Sequence, residues 1–78
     1  MQYPVIDLKA TGDNIRNLLK SRCLTVKQLQ TMFGFDEPQA IYKWMRGQNL
    51  PAIQNMVILS KVLGVAIEEI LVIRDNGD

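Results

Sequence analysis

The chain has no histidine, one cysteine and three prolines among 78 residues. Each scarcity closes something off. Without histidine, the commonest general base and the commonest metal ligand are missing. Cys23 has no second cysteine to pair with, so no internal disulfide forms, and a lone thiol suits a reducing compartment. Ser21 and Ser60 have no base in view, and Glu68 and Glu69, adjacent on a helix, point apart. The expectation is therefore a protein that is not an enzyme, with no catalytic residue, metal, cofactor or small-molecule substrate. No apolar run reaches the ~18 residues of a membrane span. The opening MQYPVIDLK lacks the basic-then-apolar layout of a secretory leader, so the expected location is the cytoplasm, away from membranes. Low-complexity tracts and internal repeats are also missing. Net charge is only +1, which weakens any argument from overall charge for a polyanionic partner.

What is present fits one small folded domain. Hydrophobic residues make up 47% and charged residues 22%, too apolar for a disordered chain. A chain of this size closes a helical core but no deep catalytic cleft. Its charge is unevenly spread. Residues 14–48 carry six basic side chains (Arg16, Lys20, Arg22, Lys27, Lys43, Arg46) against Asp36 and Glu37, a local net of +4. Residues 49–78 carry a net of −2 and the first thirteen a net of −1.

Residues 1–10 show no helical period and read as an extended arm, either pinned by Val5, Ile6 and Leu8 or loose. A first helix is expected from Thr11, a good N-cap, with Asp13 in its first turn and Ile15, Leu18 and Leu19 as its buried stripe. The second helix carries the clearest start signal. Thr25 and Gln28 form a capping box, Leu24 and Leu29 a hydrophobic staple, and Gly34 fits a left-handed ending. The third helix is expected from Pro38, with Glu37 or Asp36 as its cap and Gly47 as its end. A fourth helix spans about 52–63, with Ile53, Met56, Val57, Ser60 and Leu63 inward, closed by Gly64 and Val65. A fifth, short helix covers about 66–72 with Ile67, Ile70 and Leu71 inward, and residues 74–78 read as a frayed tail. No strand pair is visible.

The third helix has opposed faces at 100° per residue. Ile41, Trp44 and Met45 form an apolar side that must be buried. Gln39, Tyr42, Lys43 and Arg46 form a stripe of donors, a phenol and two cations with no carboxylate among them. Such a stripe suits phosphates and base edges; an ordinary solvated face has the same look.

The run Leu24-Thr25, Leu29, Gly34, Ile41, Trp44, Arg46-Gly47, Leu50-Pro51, Leu63-Gly64-Val65 and Ile70-Leu71 resembles the Cro/repressor-type (XRE) helix-turn-helix domains, over about residues 11–72. PQAIYKW followed by a glycine and LP resembles a branch of short bacterial or mobile-element regulators. The resemblance implies an all-α, compact five-helix lambda-repressor-like domain at 11–73, flanked by the arm and the tail. It implies a cytoplasmic, sequence-specific transcriptional regulator, acting as a repressor, that binds double-stranded DNA as a homodimer and reads the major groove with its third helix. By position it makes Gln39, Ala40 and Lys43 base-reading, with Tyr42 beside them, and Thr25, Lys27 and Arg46 phosphate-contacting. Val65–Ile73 is apolar enough to serve dimerisation or simple core packing.

Three departures stand out. The turn between Gly34 and Trp44 is one residue longer than the common pattern. Gln30 stands where the family has a small residue at a close helix crossing, which implies a wider or rotated helix pair. Leu19 and Met45 stand where many members have an arginine–glutamate pair, so hydrophobic contact replaces an ion pair. Low net charge, Gln30, Asp36 and Glu37 keep open an alternative from another class, an antitoxin-like or adaptor protein-interaction module on the same scaffold.

Overall fold

The computed structural model describes residues 3–76. Five helices follow one another: α1 (Leu8–Ser21), α2 (Val26–Phe33), α3 (Gln39–Met45), α4 (Ile53–Leu63) and α5 (Ile67–Ile70). They are framed by two short strands, β1 (Tyr3–Ile6) and β2 (Ile73–Asn76). The core draws on every helix: Ile15 and Leu19 from α1, Leu29 from α2, Ile41, Trp44 and Met45 from α3, Met56, Leu59 and Leu63 from α4, and Ile70 from α5. Leu19 and Met45, the pair of apolar replacements, are both buried in this one cluster.

The two ends of the chain differ most from the sequence reading. The N-terminal segment is extended but not loose, and part of the tail is not frayed. They pair antiparallel, Tyr3 opposite Asn76 and Ile6 opposite Ile73. Pro4, which cannot donate to a ladder, is tolerated because both strands of a two-stranded ribbon are edges. Four-residue strands without alternation leave no sequence signal, and their partners lie at opposite ends of the chain. The tail residues Gly77 and Asp78 and the arm residues Met1 and Gln2 lie outside the described residues.

Helix α1 begins at Leu8, a turn earlier than Thr11. Its N-cap is Asp7, whose carboxylate accepts from the Ala10 N–H at 3.0 Å. Thr11 lies inside the helix, buried, and its Oγ1 accepts from the Val72 N–H at 2.9 Å. Asp13, past the first turn, pairs instead with Lys9 at 2.9 Å on the surface. Gly12 does not break the helix because α3 lies against it. A Cβ there would sit 2.5 Å from the Trp44 carbonyl oxygen and 2.7 Å from that of Met45. This glycine sets how closely α1 and α3 approach.

Further along, α4 buries Met56 and Leu63 as expected, but Leu59 in place of Ile53 and Val57. Ile53 is 83% exposed and Val57 is exposed, while Met56, Leu59 and Leu63 are buried. Apolar residues surround this helix, so its sequence carries no single period, and the i, i+3, i+7 set was the one buried. Its C-terminal carbonyls are well held. The Gly64 and Val65 amides return to the Ser60 carbonyl (2.9 and 3.2 Å), and the Arg22 Nε donates to the Leu63 carbonyl at 2.9 Å. Ile70 is fully buried and Val65, Ile67 and Leu71 pack half-buried on the core, whereas Ala66, Glu68, Glu69 and Ile73 are exposed, Ile73 at 51%.

Candidate DNA-binding surface

The two-helix unit is built much as its residues dictate. Thr25 Oγ1 accepts from the Gln28 N–H at 3.1 Å, and the Gln28 side chain accepts from the Thr25 N–H at 2.9 Å, closing the capping box. Gly34 ends α2 in the left-handed region (φ 72°), which costs a residue without Cβ nothing. The third helix starts differently from the reading. Pro38 is itself the N-cap, its carbonyl accepting the first helical bond from Tyr42, and neither Glu37 nor Asp36 supplies a side-chain cap. Both carboxylates are exposed.

An aromatic cluster ties this unit together. The Phe33 ring lies 5.1 Å from Phe35 and 5.6 Å from Trp44, and Phe35 lies 6.1 Å from Trp44. The end of α2, the turn and the buried face of α3 thus share one packing unit. In the sequence Phe35 falls between the two expected helices, where nothing marks it as core. The signal available was an aromatic two residues from Phe33 and nine from Trp44, a spacing with no meaning until the turn is known.

Gln30 is half-buried on α2. Its side-chain amide reaches along the turn and donates to the Phe35 carbonyl at 3.2 Å and the Asp36 carbonyl at 3.1 Å. A turn of five residues separates α2 from α3, and two of its carbonyls are satisfied by this one side chain.

On the opposite side of α3, Gln39, Tyr42, Lys43 and Arg46 are exposed, with Tyr42 at 43%. Among the described residues, none of these four side chains is engaged in an internal hydrogen bond or ion pair. Ala40, expected among the base-reading positions, is half-buried and packs against the core. Thr25 and Lys27 are exposed at the start of α2, although the Thr25 hydroxyl is already occupied by the capping box. The basic residues of 14–48 do not all gather here. Arg22 is committed to the end of α4, and Arg16 Nη2 reaches the Met45 carbonyl at 3.5 Å. Lys27, Lys43 and Arg46 remain as exposed cations on the two-helix unit.

Among the described residues no group of His, Cys, Asp and Glu side chains gathers to hold a metal ion, and no pocket opens. No helix is long and apolar enough to cross a membrane. The fold and this surface define a helix-turn-helix domain. The sequence model of the helix-turn-helix family matches residues 15–70, most of the chain, and the protein belongs to that family, in its XRE-type form. The family is one of DNA-binding transcription regulators rather than enzymes. In three dimensions the chain is similar to the restriction-modification controller protein C.AhdI from Aeromonas hydrophila. The TM-score is 0.72 at 23% identity, over 82% of this chain and 96% of that one. It is also similar to the DNA-binding domain of BldD (TM-score 0.70, 18% identity, 85% of this chain and 94% of that one) and to the S. venezulae BldD DNA-binding domain, which gives the same TM-score and identity over 97% of its length. At these identities the likeness is one of fold. No curated protein matches the sequence.

Proposed function

We propose that the protein is a sequence-specific repressor of transcription that lays α3 in the major groove and binds its operator as a homodimer. The observation that carries this is the α3 stripe: Gln39, Tyr42, Lys43 and Arg46 are exposed, and uncommitted among the described residues, on the side opposite the buried Ile41, Trp44 and Met45. Gln39 has the donor–acceptor pair that matches adenine N6 and N7, and Lys43, one turn on, can donate to guanine O6 and N7. Arg46 at the helix end, with Lys27 and Thr25 at the start of α2, is assigned to phosphates. Half-buried Ala40, among the base-reading positions, lets the helix approach the bases closely. Two copies related by a two-fold axis would set their α3 helices about 34 Å apart, one turn of duplex. Similarity in fold to a restriction-modification controller and to DNA-binding domains supports DNA binding as the reading.

Selection of bound sequences from random duplex tests this. An enriched motif with two-fold symmetry is the expected result; recovery of no motif at a protein concentration that retains duplex would overturn sequence-specific binding.

A further inference from the structure

Gln30 and Phe35 are joined twice. The Gln30 main-chain carbonyl accepts from the Phe35 N–H at 3.1 Å, and the Gln30 side-chain amide donates back to the Phe35 carbonyl at 3.2 Å. The second hydrogen of the same amide goes to the Asp36 carbonyl at 3.1 Å. Both targets are carbonyl oxygens, so the nitrogen end of the carboxamide must face them, and both of its donors are in use. Phe35, fixed by Gln30 through its backbone, is fixed to α3 through its ring, which lies against Trp44. Trp44 belongs to the same two turns of helix as Gln39 and Lys43.

We propose that Gln30 is a positioning residue for DNA reading: its carboxamide holds the five-residue turn in one shape, and through Phe35 and Trp44 it sets the angle at which α3 presents Gln39 and Lys43. The proposal rests on the base-reading role given to α3. It makes one device of two features that look independent in sequence, a long turn and a long polar side chain beside it. A longer turn leaves more carbonyls without helical partners, and the Gln30 amide pairs two of them, a part-buried one at Phe35 and an exposed one at Asp36. A small residue at position 30 has no group to offer them. A glutamate has the right length, but its carboxylate only accepts and would face two carbonyl oxygens; a methionine has the length and neither donor.

The test uses Gln30→Glu and Gln30→Met in the full chain, with the helical signal by circular dichroism as a check on folding. Two quantities are read: hydrogen exchange at the Phe35 amide without DNA, and the ratio of affinities for the selected operator and an arbitrary duplex. The expected result is faster exchange at Phe35 in both variants and a ratio lowered roughly tenfold, the size of one misread base pair. The preference should blur at several positions of each half-site, because a tilted helix displaces all its contacts together; Gln39→Ala should blur one. Affinity for arbitrary duplex should stay near that of the parent. An unchanged ratio in the folded variants overturns the proposal, as does an equal fall on both duplexes, which marks plain loss of stability. If Gln30→Glu does not fold, Gln30→Met decides alone. If the parent chain selects no operator, base reading by α3 has failed and the proposal with it, while unchanged exchange at Phe35 would show separately that Gln30 does not hold the turn.

Discussion

The hydroxyl oxygen of Thr11 accepts the main-chain N–H of Val72 at 2.9 Å, across 61 residues of sequence. It is one of several clasps that fasten the end of the chain to α1. Asn14 donates to the Glu69 and Ile70 carbonyls at 2.8 and 2.9 Å, and the Asp7 N–H donates to the Val72 carbonyl at 2.8 Å. Together they fix α5 and the β1–β2 ribbon against the helix that α3 also packs on. Replacing Thr11 with isosteric valine would leave the Val72 N–H without a partner. The expected loss is about 1–3 kcal/mol, read by denaturant unfolding, with Thr11→Ser recovering much of it.

Gly12 gives a sharper prediction. On an exposed helix Gly→Ala stabilises by roughly 0.5–1 kcal/mol. Here the added methyl meets the carbonyls of Trp44 and Met45. Gly12→Ala should instead destabilise, by about 1–3 kcal/mol as for an overpacked core. Thermal unfolding of the variant at or above the parent temperature would show that α1 and α3 can separate at little cost.

Cys23 follows α1 in the left-handed region (φ 57°), the only non-glycine described residue there. It is exposed, so its conformation is imposed by the turn and not by side-chain packing. That conformation costs an L-residue roughly 1–2 kcal/mol, part of which a glycine returns as unfolded-state entropy. Cys23→Gly should raise stability by up to about 1 kcal/mol, and Cys23→Ala should leave it nearly unchanged; equal stability of all three chains would contradict this account of the turn.

On α4, Ile53→Ala should change stability by less than about 0.5 kcal/mol, as for a surface site. Leu59→Ala should cost about 2–5 kcal/mol, as for a buried one. Reversal of that order would restore the stripe that the sequence alone had indicated.

The partial shift of the buried face of α4, which keeps Met56 and Leu63 but takes Leu59 in place of Ile53 and Val57, shows where the sequence is and is not explicit. The capping box at Thr25, the left-handed Gly34 and the opposed faces of α3 are local facts, and each follows from residues within one or two turns. Their outcome in three dimensions matches the reading closely. Thr11 was misread, Gly12 was passed over and the hydrogen bonds of Gln30 could not be seen, because these roles depend on what arrives from elsewhere: the chain terminus, the α3 backbone and the turn carbonyls. The β ribbon was hidden for the same reason. Within the candidate surface, the types of side chain and their common face were legible, whereas the half-burial of Ala40 and the commitment of Arg22 to α4 required the packed core.

The central claim is that α3 reads bases through Gln39 and Lys43 and holds the backbone through Arg46. Its most direct measurement is affinity for the selected operator and its single-base variants, titrated over salt, for the three alanine substitutions. Gln39→Ala and Lys43→Ala are predicted each to cost about 1–3 kcal/mol and to relax preference at one base position per half-site. Arg46→Ala is predicted to weaken all sequences alike and to lower the salt slope by about one unit. Operator preference that survives both Gln39→Ala and Lys43→Ala would contradict the account and move base reading off this face of the helix.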